Sequence, residues 1–156
     1  MTVQTGTGAT ISIGTTASAV NQTQFDADTY TAIGEVETLG AFGDSRGEVR
    51  FTSLSDGRVR KYRGAADAGT LAVRVAMDPS DAGQAAVYAA FAVTSQAADE
   101  FNFKVEFNDS LGANGTTRYF RGKVMGNPNQ GAENDAIVME EIQVAINSAI
   151  VRKAAA

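Results

Sequence analysis

Between Gly69 and Val93 the hydrophobic pattern changes period, and that switch constrains the fold more than any other feature of the chain. Leu71, Val73, Val75 and Met77 alternate with Ala72, Arg74 and Ala76. A period of two predicts a strand with one buried face. After Asp78-Pro79-Ser80-Asp81, residues Ala82, Ala85, Ala86, Ala89, Ala90 and Val93 recur at spacings of three and four. That spacing puts them on one face of a helix over about residues 79–93. Asp78 is placed to cap the free amides of the first turn, and Pro79 suits the first helical position, where a missing N–H costs nothing. Asp81 adds negative charge near the positive end of the helix dipole. The chain must make a strand, turn sharply, and lay a short helix of small side chains close to a sheet or a neighbouring subunit.

The remaining periodic segments are strands. Thr10 to Ile13 alternates, and Thr15 to Asp28 is polar and reads as a loop. Thr29 to Leu39 reads as a strand whose apolar positions break parity, so a bulge near Gly34 is expected. Gly40 to Gly47 is a glycine-rich loop holding Phe42. Glu48–Leu54 and Arg58–Arg63 flank Ser55-Asp56-Gly57, a hairpin signal. Phe101, Phe103, Val105 and Phe107 alternate with Asn102, Lys104 and Glu106, and an Asn114-Gly115 turn is expected to lead into a return strand over 117–125. Ala136 to Asn147 is the last long strand, its parity interrupted by Glu140. Residues 1–8 and 147–156 read as arms. With seven or eight strands joined mostly by hairpins, the expectation is a mainly β, antiparallel β-sandwich or small barrel with one short α-helix, in a single domain.

The chain has neither cysteine nor histidine. That removes thiolate nucleophiles, disulfides and Cys-type zinc sites, together with the commonest general base and metal ligand. Asp26 with Asp28, and Asp78 with Asp81, do not complete a calcium loop, and turn chemistry and helix capping explain them. Glu140 and Glu141 are adjacent on a strand and face opposite sides, so they do not form a catalytic pair. Gly6-Thr7-Gly8 lacks the third glycine and the preceding strand of a dinucleotide loop. No cofactor or metal is expected. The net charge of −5 argues against nucleic-acid affinity over the whole surface. The first residues lack the charged and apolar regions of a secretory signal, and no run approaches the roughly 20 apolar residues of a membrane span.

The hairpin over 48–63 carries charge on both faces. Glu48 and Arg50 share a face, as do Lys61 and Arg63, while Arg58 and Arg60 take the opposite one. Its basic residues surround Tyr62, an arrangement that can bind single-stranded nucleic acid. Pairing with the acids of other strands explains it without a ligand. A sheet that buries neither face is expected in an assembly, and arms and loops that cost entropy to order point the same way.

Three stretches carry a resemblance to the major tail tube proteins of long-tailed, siphovirus-type bacteriophages. They are Tyr30 to Glu37 with the strand ending at Gly57, Tyr62-Arg63-Gly64 with the Met77-Asp78-Pro79-Ser80-Asp81-Ala82-Gly83-Gln84-Ala85-Ala86 unit, and Thr117 to Val124. The resemblance spans about residues 10–147. It implies a tail-tube fold, hexameric rings stacked into a hollow tube, and a lumen that conducts double-stranded DNA without binding it specifically. It further implies a tape measure protein, a tail terminator and distal tail or tip proteins as partners, a place in the virion tail, and assembly in the host cytoplasm. A stacking loop over 39–47 and both arms would make the contacts, which nominates Leu39, Phe42, Asp44, Arg46, Glu48, Arg50, Arg58, Arg60, Arg152 and Lys153.

Alternatives stand beside this reading. A contractile injection or secretion tube shares the fold, and a neighbouring sheath protein would mark it. A monomeric binding module, for a glycan for example, needs an aromatic platform, and this chain has no Trp and four Tyr. A small enzyme would have to work without His, Cys or paired carboxylates.

Overall fold

A computed structural model describes residues 3–109 and 112–156. The change of period falls where the sequence places it. Leu71, Val73 and Val75 are fully buried in a strand over Thr70–Ala76, and a helix over Ala82–Ala92 follows. In chain order the elements are β1 (Thr10–Ile13), α1 (Gln22–Asp26), β2 (Thr31–Ala32), β3 (Val36–Leu39), β4 (Ser45–Thr52), β5 (Val59–Asp67), β6 (Thr70–Ala76), α2 (Ala82–Ala92), β7 (Glu100–Glu106), β8 (Thr117–Gly126), β9 (Met139–Ile146) and β10 (Val151–Lys153).

All strand pairs are antiparallel. One sheet runs β2-β1-β7-β8-β9-β6-β3, with β10 also paired to β8, and β4-β5 forms a separate ribbon. The edge strands β2 and β3 are separated in sequence by only Ile33-Gly34-Glu35. The sheet must therefore curl until its two edges nearly meet, which is a barrel left partly open. Inside lie Ile11, Ile13, Leu71, Val73, Val75, Phe103, Val105, Phe120, Ile142 and Val144, with Val87 of α2 against them. Phe103 and Phe120 stack with centroids 5.5 Å apart. Each such buried side chain contributes about 1.5–3 kcal/mol.

Helix α2 differs from the alanine pattern in two respects. Its cap is Asp81, whose carboxylate accepts from Gln84 N at 2.8 Å, whereas Asp78 folds the preceding turn by accepting from Ser80 N and Oγ. The buried face is Gly83, Gln84, Val87 and Ala90, while Ala82, Ala85 and Ala89 face outward. Alanine gives little contrast between faces, so packing decides. A Cβ on Gly83 would lie 2.0 Å from the Ala32 carbonyl oxygen, so only glycine lets the helix rest on the backbone beside β2. Gln84 then donates to the carbonyls of Ala76 at 2.8 Å and Gly34 at 3.3 Å, tying the end of β6 to the β2–β3 connection.

Other expectations are corrected. The segment 15–28 is not wholly loop: Asn21 caps the short helix α1, which buries Phe25 against Tyr119. A second helix is thereby added to the expected one. The strand expected over 29–39 is broken into β2 and β3 at Glu35, which has φ 58°, and the bulge falls between Val36 and Thr38. The C-terminal segment contains β10, paired to β8. Met77 is exposed rather than continuing the buried row of β6. Val138 also lies outside the buried row, and Glu140 is buried within it, because the Tyr88 hydroxyl of α2 donates to its carboxylate. Asn114 does not close a two-residue hairpin. Its backbone exchanges bonds with Ala156 at 3.0 and 3.3 Å. Ser110 and Leu111 of that turn region lie outside the described residues.

Candidate assembly surface

The site is the β4–β5 ribbon. Every residue of β4 and all of β5 except Gly64 is exposed, and the ribbon packs substantially on no other element. The turn over Ser53–Arg58 closes with Gly57 at φ 62°, where glycine is favoured, and with Gly57 N donating to Ser53 O at 2.9 Å. Asp56 accepts from Arg58 N and from the Arg60 guanidinium at 2.9 Å. Those two bonds, the backbone one first, hold the Asp56 carboxyl below its ordinary range.

Register sorts the side chains. Glu48 faces Arg63, Arg50 faces Lys61, and Thr52 faces Val59; Val49 faces Tyr62 and Phe51 faces Arg60. Since partners across a ladder share a face, Glu48, Arg50, Lys61 and Arg63 form one charged side. Glu48 lies 3.4 Å from Arg50 and 3.7 Å from Lys61, so one carboxylate serves two cations. The opposite side carries an apolar row, Val49, Phe51 and Tyr62, which are 53%, 56% and 55% exposed, flanked by Arg58 and Arg60 toward the turn. Three half-bare large side chains in one row are what a compact subunit does not leave to water without a partner. An isolated two-stranded ribbon is only marginally stable in water.

The residues nominated from sequence separate into three groups. Glu48, Arg50, Arg58 and Arg60 lie on the ribbon, and Arg46 braces its base by donating to Gly64 O at 3.2 Å. Leu39 and Phe42 turn inward instead and pack on the core, Phe42 with its ring 5.7 Å from that of Phe120. Asp44 accepts from Ile150 N at 3.1 Å, tying the C-terminal segment to the ribbon's root. On β10, Arg152 is exposed opposite Arg118, while Lys153 is committed to Asp26 at 3.0 Å. Burial works against the Asp26 carboxylate, but bonds from the Tyr119 hydroxyl at 2.5 Å and from Lys153 outweigh it and lower its pKa.

Sequence reasoning left Tyr62 off the nominated surface and did not decide whether Val49 and Phe51 were core. Their signal was present: all three share a face once the turn at Gly57 sets the register. A groove of about 720 Å³ lies between residues 6–9 and 36–42, at the open part of the barrel seam. Among the described residues no group of three or more His, Cys, Asp or Glu is arranged to hold a metal. No described helix is long and apolar enough to cross a membrane.

The fold defined by this curled sheet, its single long helix and its free ribbon is shared with tube-forming assemblies. No protein-family model and no curated protein matches the sequence. Solved structures do match. A chain of the PVC extracellular contractile injection system, in its sheath/tube terminator in the extended state, superposes with a TM-score of 0.73 at 11% identity over 99% of both chains. A chain from the tail of an empty gene transfer agent particle, refined with helical and C6 symmetry, gives 0.67 at 15% identity over 97% of this chain and all of its own length. The SPP1 tail tube gives 0.63 at 12% identity over 94% of this chain and 76% of that one. At these identities the likeness is one of fold.

Proposed function

We propose that the chain is a structural subunit of a tail-type tube, without catalytic activity, and that the β4–β5 ribbon joins one copy to another. The observation that carries this reading is the apolar row Val49, Phe51 and Tyr62, exposed on a ribbon that its own subunit does not cover. The likeness to tail and tube chains, one of them in a C6-symmetric tail, supports rings of six stacked into a hollow tube. The nominated residues Arg46, Glu48, Arg50, Arg58 and Arg60 then act at the joint between copies. Leu39, Phe42 and Asp44 set the ribbon's angle from its root, and Arg152 and Lys153 lie on β10, which follows the Ile150–Asp44 bond at that root.

Carried further, the same reading gives a virion tail assembled in the host cytoplasm, with a tape measure protein, a terminator and distal tail proteins as partners and double-stranded DNA passing through the lumen. The siphovirus-type resemblance favours a non-contractile tail. The injection-system likeness keeps a contractile tube as the second reading, and a sheath protein encoded beside this one would select it.

Negative-stain electron microscopy and light scattering of concentrated protein test the proposal. Hollow tubes or rings of uniform diameter are expected from the wild type, and none from Phe51→Glu at the same concentration. A monomeric wild type that also stays inert with tail-tip components would overturn it.

A further inference from the structure

The chain has a second exposed apolar surface, at the other end of β6 from the ribbon. The ribbon joins β6 at Thr70; Met77 follows its last residue, Ala76. Met77 N donates to Val138 O at 2.9 Å, so the two residues are neighbours, and both are exposed together with Ile137. Tyr88 of α2 borders them, bonded to Glu140 two residues along β9. Seven residues of strand, about 23 Å, separate this surface from the ribbon's root.

Charge divides the chain along the same line. The ribbon, residues 45–67, holds Arg46, Arg50, Arg58, Arg60, Lys61 and Arg63 against Glu48, Asp56 and Asp67, a net +3. The remainder has seven basic and fifteen acidic residues, a net −8. Around the second surface stand Glu35, Glu133 and Asp135, all exposed, and Asp78. Glu35 sits next to β6, its carbonyl accepting from Ala76 N at 2.9 Å. It is also the only non-glycine residue at positive φ among those described. A carboxylate therefore occupies a backbone site where glycine would be less strained.

We propose that the surface formed by Met77, Ile137 and Val138, with its surrounding acids, is the acceptor for the β4–β5 ribbon of a second copy. The inference rests on the tube reading and deepens it by naming where the ribbon lands. The ribbon's row of Val49, Phe51 and Tyr62 covers the apolar residues while Arg58 and Arg60, on the same face of the ribbon, meet Glu35, Glu133 and Asp135. Donor and acceptor are different patches at opposite ends of one strand. The contact is thus head-to-tail and does not close on two copies, as growth along an axis requires.

The absence of cysteine gives a direct test. Tyr62→Cys and Ile137→Cys, combined in one chain and oxidised at concentrations where tubes form, are expected to yield a ladder of disulfide-linked multimers on a denaturing gel. Either single variant is expected to stop at dimers. Glu133→Lys with Asp135→Lys is expected to raise the concentration needed for assembly at least tenfold, and Arg58→Glu with Arg60→Glu in the same chain to recover most of it. Tubes from the double-cysteine protein with no ladder beyond dimers would overturn the acceptor assignment and leave the tube reading standing. Neither tubes nor ladder, from variants and wild type alike and with tail-tip components present, would overturn both.

Discussion

Strands β6 and β4 obey the same rule of alternation, yet one has a fully buried face and the other is bare. In β6 the odd positions Leu71, Val73 and Val75 meet Phe103, Phe120 and the residues of β9, and are fully buried. In β4 the odd positions Val49 and Phe51 meet only Tyr62 and Arg60 across the ribbon. Alternation therefore tells which side chains share a face. It does not tell what lies opposite that face. In β6 it is the rest of the barrel, whereas in β4 the subunit supplies nothing.

The contrast breaks most sharply at Val73. Val73→Asp places a charge at the centre of the core at a cost of several kcal/mol. Loss of the folded state in circular dichroism is expected, and a variant melting like the wild type would refute the packing described for β6. A smaller loss is expected at the helix contact. Gly83→Ala brings a methyl against the Ala32 carbonyl and Ile33 Cα, and overpacking of this kind costs roughly 1–3 kcal/mol in chemical denaturation.

Next comes the polar clasp at the outer side of the barrel. Asp28 accepts from Thr15 N and Oγ1 and from the buried Asn102 amide at 2.7 Å. Burial pushes its pKa up, but these bonds outweigh it and the net shift is downward from 3.8. A carboxylate with a lowered folded pKa stabilises the fold above its ordinary value, and that stability drains as the pH falls through the folded value. Asp28→Ala is expected to cost on the order of 1 kcal/mol at neutral pH and to lose part of the wild type's acid sensitivity below about pH 4. An unchanged acid-unfolding curve would count against the clasp.

The smallest effect on stability is expected on the ribbon, where the effect on assembly is largest. Phe51→Glu changes the subunit's stability by no more than about 0.5 kcal/mol, as at other uncovered surface positions. If that variant unfolds as readily as Val73→Asp, the ribbon is covered within the subunit and the contrast with β6 fails.

Much of this was legible in the sequence, for reasons that differ by element. Strands β6, β7 and β9 were readable because one face of each is buried and the other is not. The position of α2 was readable from spacing, but its buried face was not, because Ala82, Ala85 and Ala89 resemble Ala86 and Ala90. The deciding residues were Gly83 and Gln84, whose roles depend on β2 and β6 lying alongside. Helix α1 offered one large apolar residue, Phe25, too little for a period. Glu140 reads as an interruption until Tyr88 arrives from another element to bond it. On the candidate surface the ribbon and its charges were legible. The inward turn of Leu39 and Phe42 was not, since a loop aromatic looks alike whether it meets its own core or a neighbour.

The partition of charge between ribbon and body also bears on how free subunits meet. At long range two copies sense only the sum, −5 each, and repel whichever way they face. Within a Debye length, about 8 Å at physiological salt, they sense the parts, and one relative orientation becomes attractive. Random collisions are therefore mostly sterile, and a dilute pool of subunits stays dispersed. In the proposed tube, a growing end where ribbons or acceptors already point outward together offers that orientation repeatedly, so elongation is expected to outpace spontaneous nucleation.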